Sequence, residues 1–387
     1  MIELRPHVKD SKSSYIREIL NVTQRDEVIS LAGGLPCPSL FPMQIIEEVM
    51  PSLAVDRSLF QYSSTAGYQP LLNELRTREQ IPNTHQMLVT SGAQQGIDLC
   101  VRAFIGRGDK VVTEQPSYLG ALQIFSFAQA DILTVKNEKD GPNLPQLEKH
   151  FLNNKVKLFY AVPDFHNPTG CCWSLHKRKE VARLCQRHNV LLLEDAPYRN
   201  LRFSGEALPT VSSQCPEISI MLRSFSKVVA PAMRVGTLTA PKHWMLAITK
   251  LKQAADLHTN SPMQKLCLEI IRHPEFDAHV EKLNREYKHR YLALADGLSF
   301  LPKSEYSFQS VEGGMFIWLK IPPCNTLSLA KSALSNGVAI VPGCEFYANS
   351  QNAKSALRLN FSNNEPHKIK QALNRLRPVL ELYRTAN

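Results

Sequence analysis

Between residues 86 and 240, short apolar runs alternate with amphipathic segments of helical period, and this alternation constrains the fold most strongly. A run such as Val190–Leu193 is apolar at consecutive positions, as in strands that are buried on both faces. Strands that alternate with helices in this way form a mostly parallel sheet covered by helices. We therefore expect an α/β fold. The other predicted strands are Met87–Thr90, Lys110–Glu114, Leu158–Val162, Ile218–Leu222 and Val235–Ala240.

The chain has 387 residues, which exceeds the usual size of a single core and predicts a large domain with a smaller one. After residue 242 the pattern becomes helical, with one long helix expected over residues 275–299. From residue 308, two strands (Met315–Leu319 and Leu357–Phe361) and further helices predict a small α+β domain. The expected division is residues 1–40 as an N-terminal helix and arm belonging with the small domain, 41–285 as the large domain, and 286–387 as the small C-terminal domain.

Charge and cysteine usage exclude several classes of protein. The net charge is +10, but the basic residues of Leu175–His188 form one face of an ordinary amphipathic helix, and no nucleic-acid recognition motif accompanies them. Nine scattered cysteines without a C-x-x-C pair argue against a disulfide framework or a metal site, and they predict a cytoplasmic protein. The N-terminus lacks the apolar stretch of a secretory signal, and no apolar run approaches the ~18 residues of a membrane span.

One lysine follows a predicted strand directly. The run Ile218–Leu222 leads into Ser224-Phe-Ser-Lys227, and Arg234 comes soon after. A lysine presented by a tight loop beside hydroxyl groups can form an imine with an aldehyde. A solvated surface lysine next to a turn explains this stretch equally well when it is considered alone.

Ligands of parallel α/β sheets bind beyond the carboxyl ends of the strands, and other polar residues of this chain follow predicted strands too. Ser91–Gln94 lies between a strand and a helix, where free N–H groups favour a phosphate; the alternative is a plain helix cap. Asp195 ends a very apolar strand and can face a protonated ring nitrogen, with the phenol of Tyr198 close to the same ligand. The alternative for Asp195 is a cap or a structural salt bridge.

Three more residues complete the pattern. Asn167, in the turn sequence Asn167–Gly170, can bond an oxygen or serve the turn alone. Tyr118 can stack on a flat ring or belong to the core, and Arg358 can bind a carboxylate or face solvent. Together the strand-end residues predict a ligand with a phosphate, a cationic ring, a phenolic oxygen and an aldehyde. That ligand is pyridoxal 5′-phosphate.

With these residues, the chain resembles the fold-type I pyridoxal-phosphate-dependent aminotransferases of class I/II, and within them the 2-aminoadipate (multi-substrate) group. The resemblance implies a mostly parallel, seven-stranded-type sheet in the large domain. It also implies amino-group transfer between an L-α-amino acid (of the aminoadipate/glutamate, aromatic or branched type) and a 2-oxo acid such as 2-oxoglutarate. The matching stretches span nearly the whole chain: Tyr15–Leu20, Leu31–Pro36, Gln61–Ser63, Ser91–Gln95, Pro116–Tyr118, Asn167–Gly170, Glu194–Tyr198, Ser224–Lys227, Arg234–Gly236, Ala255–Thr259, Gly313–Phe316 and Arg358–Phe361.

The resemblance implies a role for each matching residue. Lys227 tethers the cofactor and carries the proton between substrate and cofactor carbons, while Asp195 pairs with the ring nitrogen and Tyr198 with the phenolic oxygen. The other implied cofactor contacts are Ala93, Gln94, Ser224, Ser226 and Arg234 on the phosphate, Tyr118 on the ring, Asn167 on the phenolic oxygen, and Tyr62 from the other subunit of a homodimer. The implied substrate contacts are Arg358 and Asn167 on the α-carboxylate, Gly34 and Tyr62 in the pocket, and Arg17 on a distal carboxylate.

Three positions depart from the group. Ala93 stands where a hydroxyl residue is usual, His166 where a glutamine precedes Asn167, and Pro197 where an acidic or small residue is usual. None of them removes a catalytic group. Two alternatives remain open at this point: another pyridoxal-phosphate reaction on the same fold (β-lyase, decarboxylase or oxidative deaminase), or a non-enzymatic effector-sensing domain.

Overall fold

A computed structural model describes residues 2–9, 15, 19 and 27–385 of the chain. Its centre is an eight-stranded sheet in the order β2-β9-β8-β7-β6-β3-β4-β5, in which only β9 and β5 run against their neighbours. Because β5 has only two residues, seven longer strands make up the sheet, as the resemblance implies. The strands are β2 (His85–Thr90), β3 (Lys110–Gln115), β4 (Asp131–Glu138), β5 (Gly141–Pro142), β6 (Val156–Ala161), β7 (Leu191–Asp195), β8 (Ser219–Ser224) and β9 (Gly236–Pro241).

Consecutive apolar residues of the central strands supply two different cores, one on each face of the sheet. Successive side chains of a strand point to opposite faces. Leu158 accordingly joins the larger core, while Phe159 joins a smaller one with Val181 and Leu184. The prediction of a sheet covered on both faces is confirmed.

Helices pack on both sides of this sheet and continue into the C-terminal part of the chain. The predicted long helix at 275–299 is present as Phe276–Gly297. The helices are α1 (Pro6–Lys9), α2 (Met43–Val55), α3 (Gln69–Arg78), α4 (Ala93–Phe104), α5 (Leu119–Phe127), α6 (Leu144–Asn154), α7 (Leu175–His188), α8 (Lys242–Asp256), α9 (Ser261–Arg272), α10 (Phe276–Gly297), α11 (Thr326–Ser335) and α12 (Pro366–Thr385).

A second, antiparallel sheet follows the long helix in sequence, as predicted, and has the order β10-β13-β12. The extended arm near residue 30 joins this part of the molecule, because Ile29 pairs with Val338 in a short parallel ladder. The remaining strands are β1 (Ile29–Ser30), β10 (Phe316–Lys320), β11 (Val338–Ala339), β12 (Val341–Pro342) and β13 (Ala356–Asn360).

None of the helices in the described part of the chain is both long and apolar enough to cross a membrane. All nine cysteines lie in the described ranges, and each is a free thiol.

Candidate active site

A cavity of about 320 Å³ lies beyond the carboxyl ends of the parallel strands. Asp195 ends β7, the loop after β6 carries Asn167, and the loop after β8 carries Lys227, so the strand order brings these distant residues together. The cavity is lined by twelve of the predicted site residues: Gly34, Ala93, Gln94, Tyr118, Asn167, Asp195, Tyr198, Ser224, Ser226, Lys227, Arg234 and Arg358.

One end of the cavity is the N-terminus of α4. Gly92 precedes this helix with φ +84° and provides no side-chain cap, so the first N–H groups of the helix remain available to an anion. Arg234 lies directly over this turn and donates from Nη2 to Ser91 O at 2.9 Å. The positive φ of Gly92 favours glycine, and a Cβ at this position would also lie only 2.5 Å from Arg234 Nη2. Ser226 Oγ is buried nearby and has no partner among the described residues. These groups suit a phosphate.

Asp195 lies deeper in the cavity and is 3% exposed. Its Oδ2 accepts a hydrogen bond from the Tyr160 hydroxyl at 2.8 Å, whereas its Oδ1 is buried and has no partner in the described part of the chain. Burial raises the pKa of Asp195 to about 7, although the Tyr160 hydrogen bond opposes that shift. A ring N–H at Oδ1 would satisfy the orphaned oxygen and stabilise the carboxylate.

Lys227 faces the cavity and donates from Nζ to Gly34 O at 2.8 Å. Burial, assisted by the positive charges of Arg358 and Arg234, lowers the pKa of Lys227 to about 8. A substantial fraction of the amine is therefore neutral near pH 8, as attack on an aldehyde requires.

Two tyrosines complete the walls of the cavity. The ring of Tyr118 packs so tightly over Gly120 that a Cβ there would lie 2.6 Å from Cζ. Tyr198 accepts a hydrogen bond from Asn167 Nδ2 at 3.3 Å, and burial raises the pKa of its phenol above the usual range. Both phenols therefore stay protonated at neutral pH, where they can stack on a ring or donate to an oxygen.

Arg358, on β13, is 1% exposed, which excludes the solvent-facing alternative. It donates to Asn167 Oδ1 at 2.9 Å and to Ala32 O, and its guanidinium lies 4.4 Å from the ring centroid of Phe316. These partners are neutral, and Arg358 Nε has no partner among the described residues. Burial lowers the Arg358 pKa to about 10, so the group still carries its charge at neutral pH. A buried cation with neutral partners calls for an anionic ligand.

Among the predicted site residues in the described part of the chain, Tyr62 does not line this cavity. Tyr62 is 79% exposed and contacts only the edge of the His258 ring among aromatic side chains. Arg17 lies outside the described residues.

The three positions that depart from the group lie in the cavity wall or beneath it. Ala93 and Pro197 both line the cavity, while His166 is fully buried beneath it. Sequence reasoning missed Tyr160, the partner of Asp195, because its position inside β6 resembles that of any core aromatic. It also missed Leu35, Leu119 and Gln123, which line the cavity without belonging to a chemically distinctive motif.

The residues present fit pyridoxal 5′-phosphate. An anion site at a helix N-terminus, an orphaned carboxylate oxygen, a lysine of lowered pKa and a stacking tyrosine occur in one cavity. Each of them matches a different functional group of that cofactor.

Known proteins share both the sequence pattern and the fold. The profile of the family "Aminotransferase class I and II" matches residues 27–376. An aromatic-amino-acid aminotransferase of Thermococcus litoralis is 34% identical over 96% of this chain and 92% of its own length. A 2-aminoadipate transaminase of Thermus thermophilus is 33% identical over 96% of this chain and 94% of its own length.

Two solved structures show that the similarity extends to the three-dimensional fold. The α-aminoadipate aminotransferase of Thermus thermophilus, complexed with N-(5′-phosphopyridoxyl)-L-leucine, superposes with a TM-score of 0.93 at 31% identity over 99% of this chain and 98% of its own. The kynurenine aminotransferase of Pyrococcus horikoshii, in complex with PMP, gives a TM-score of 0.92 at 31% identity over 98% and 97% of the two chains. The chain therefore belongs to the class I and II aminotransferases and is a pyridoxal-phosphate-dependent enzyme of fold type I.

Proposed function

We propose that the enzyme moves the amino group between an L-α-amino acid of the aromatic, branched or aminoadipate/glutamate type and a 2-oxo acid such as 2-oxoglutarate. The observation that carries the proposal is Arg358, a buried cation with neutral partners that faces the same cavity as Lys227. An α-carboxylate bound there places the substrate Cα towards the lysine. The names of the similar proteins, which refer to aromatic amino acids, 2-aminoadipate and kynurenine, support this range of substrates.

The residues of the cavity divide the work. When bound, pyridoxal 5′-phosphate supplies an electron-poor ring that accepts the electrons of the bond broken at Cα. Asp195 Oδ1 receives the ring N–H and so keeps the ring cationic. Lys227, neutral in part near pH 8, would take the proton from the substrate Cα as a general base and return it as a general acid to the cofactor carbon bonded to the same nitrogen. Arg358 and Asn167 hold the substrate carboxylate, while Tyr198 and Asn167 bond the phenolic oxygen.

The preference for particular substrate side chains follows from the other residues that line the cavity. Among the described lining residues, the cationic side chains are Lys227, Arg234 and Arg358, and each already has a partner in the proposed complex. The remaining wall includes Leu35 and Leu119, which favour apolar substrates. We assign the recognition of a distal carboxylate to Arg17.

We further propose that the enzyme is a homodimer in which Tyr62 completes the site of the neighbouring subunit. Tyr62, Phe60 and Val55 are 79%, 69% and 80% exposed, and large apolar side chains so close in sequence commonly mark an interface. We retain the division into residues 1–40, 41–285 and 286–387, with which the pairing of Ile29 and Val338 agrees. Nine free thiols support a reducing cytoplasm.

A single-turnover assay tests the proposed reaction. The holoenzyme is mixed with one amino acid at a time, without an acceptor. We expect about one equivalent of 2-oxo acid per subunit, and continued turnover only after 2-oxoglutarate is added. Continued release of ammonia or carbon dioxide without an acceptor would instead identify a lyase, deaminase or decarboxylase.

Two lysine variants extend this assay, one as the test and one as its matched control. Lys227→Ala removes the base and should slow the reaction by about 10³-fold or more. Lys250→Ala, an exposed lysine on α8, should leave the rate unchanged. Equal rates for both variants would show that Lys227 has been assigned the wrong role.

A further inference from the structure

Beneath the loop that carries Asn167 lies a buried acid–histidine pair that the proposed mechanism does not use. Glu114 and His166 are 1% and 0% exposed, and His166 Nε2 lies 3.6 Å from Glu114 Oε2. We propose that His166 is a positioning residue which, held between Glu114 and Thr169, fixes the Asn167 amide for both substrate and cofactor. The proposal rests on the roles assigned to Asn167 above.

The hydrogen atoms of this network can be assigned from its donors. Thr169 Oγ1 accepts the N–H of Cys171 at 3.2 Å and lies 2.9 Å from His166 Nδ1. We assign the hydroxyl hydrogen of Thr169 to the bond with Nδ1, which places the ring hydrogen of His166 on Nε2. Burial lowers the pKa of His166 to about 3, so the imidazole is neutral throughout the working range of the protein.

Glu114 lies on the Nε2 side of the His166 imidazole. Its Oε2 accepts the Val162 N–H at 3.1 Å, and its Oε1 accepts the indole N–H of Trp173 at 3.0 Å. Burial raises the pKa of Glu114 to about 8, and these N–H donors oppose that shift. His166 Nε2 has no hydrogen-bond partner among the described residues and lies 3.6 Å from Glu114 Oε2, which is an electrostatic contact rather than a full hydrogen bond.

The backbone around His166 is fixed as well. His166 N donates to Cys171 O at 2.8 Å, and Gly170 N donates to His166 O at 2.6 Å, so the ring lies at the base of a closed turn. The preceding residue, Phe165, has φ +53°, a conformation that is unfavourable for a bulky side chain and persists only where the surroundings enforce it. The Phe165 ring packs against Gly313, where a Cβ would lie 2.4 Å from Cζ.

Asn167 is the next residue, and both its amide oxygen and its amide nitrogen form hydrogen bonds that require one orientation of the amide. Oδ1 accepts from Arg358 Nη1 at 2.9 Å, and Nδ2 donates to the Tyr198 hydroxyl at 3.3 Å. If the Asn167 amide were turned over, its NH₂ group would face the N–H groups of Arg358. Both the bond to Arg358 and the bond to Tyr198 would then be lost. The His166 network ties this loop to β3 through Glu114 and so limits such rotation.

A pair of substitutions isolates the proposed link. Thr169→Val removes the hydroxyl that bonds His166 Nδ1 and accepts the Cys171 N–H, whereas Thr169→Ser retains it. In Thr169→Val we expect the KM for the amino acid to rise about tenfold, which is the effect of losing one hydrogen bond between Asn167 and the substrate carboxylate. The value of kcat should change by less than about threefold. Thr169→Ser should behave like the wild type, and so should Thr134→Val, which loses a hydroxyl bond on the neighbouring strand β4.

Two measurements do not depend on turnover. Affinity for 3-phenylpropionate, a carboxylate without an amino group, should fall about tenfold in Thr169→Val, and a crystal structure of the cofactor-free variant should show the Asn167 amide moved away from Arg358. Unchanged affinity together with an unmoved amide would overturn the proposal, as would equal losses in Thr169→Val and Thr169→Ser. If the wild type binds 3-phenylpropionate but transfers no amino group, the proposed function fails while the positioning role stands. His166→Leu, if it folds, should match Thr169→Val in each measurement.

Discussion

Burial alters the chemistry of three charged side chains around one small cavity. Lys227 loses part of its basicity, Asp195 becomes harder to ionise, and Arg358 keeps its charge without an anionic partner among the described residues. Each of these conditions is unfavourable in an isolated protein, because a desolvated charge has lost its hydration. Each becomes favourable when an aldehyde, a ring N–H and a carboxylate enter the cavity. The missing partner of each residue therefore indicates one functional group of the ligand.

Covalent capture of the cofactor should depend on pH through Lys227. Only the neutral amine attacks an aldehyde, and the Lys227 pKa is lowered from 10.5 to about 8 by burial and by two neighbouring arginines. The capture rate of the cofactor-free protein should therefore rise with pH and level off above about pH 8. Stopped-flow absorbance measures the rate, with Nα-acetyl-lysine as the reference amine. A protein rate that still rises in parallel with the reference near pH 10 would contradict the lowered pKa.

At the scale of elements, the phosphate site depends on how β2 turns into α4. The turn needs a residue of positive φ at position 92, directly beneath the guanidinium of Arg234. This geometry leaves the first N–H groups of α4 pointing into the cavity, where the helix dipole favours an anion. With Ala93 in place of a hydroxyl residue, we expect backbone N–H groups and Arg234 to carry more of the phosphate binding.

Gly92→Ala should weaken binding of pyridoxal 5′-phosphate at least about tenfold. The added methyl group would displace Arg234, from which it would lie 2.5 Å, and the positive φ would add a backbone cost of about 1–2 kcal/mol. Gly108→Ala is the matched control, since Gly108 has φ +77° and open space where its Cβ would lie. It should lower the thermal unfolding midpoint without changing cofactor affinity. Comparable losses of affinity in both variants would assign the effect to backbone strain alone.

At the scale of the whole molecule, the cavity is assembled from three parts of the chain that are remote in sequence. The central sheet supplies Asp195 and Lys227, the arm supplies the carbonyl groups of Ala32 and Gly34, and the antiparallel sheet supplies Arg358. In the proposed complex, a substrate carboxylate on Arg358 would therefore connect the C-terminal sheet to the cofactor on the central sheet.

The proposed dimer predicts a change of mass in one set of variants. The wild type should sediment at twice 43.6 kDa. Charges placed in the exposed apolar segment by Val55→Asp and Phe60→Asp should shift it towards the monomer and weaken cofactor binding. Leu152→Asp, at a 65% exposed apolar position on α6, should leave the mass unchanged. A wild-type monomer that is fully active would rule out a shared site.

The sequence alone determined the parallel α/β sheet, because its strands are short, apolar and separated by amphipathic helices. It missed β4, whose mixed residues Asp131–Glu138 are exposed or half-buried at seven of eight positions near the sheet edge. It identified twelve residues that line the cavity, because each lies in a distinctive local motif. The roles assigned to these residues, and to Tyr62 and Arg17, stay predictions.

Only the tertiary structure decided how those residues are paired. It placed Tyr160 against one oxygen of Asp195 and left the other oxygen open, and it enclosed Arg358 among neutral groups. It also joined Glu114 to His166 across 52 residues of sequence. The physical reason is that burial and hydrogen bonding depend on neighbours from distant segments, whereas strand and helix patterns are properties of consecutive residues.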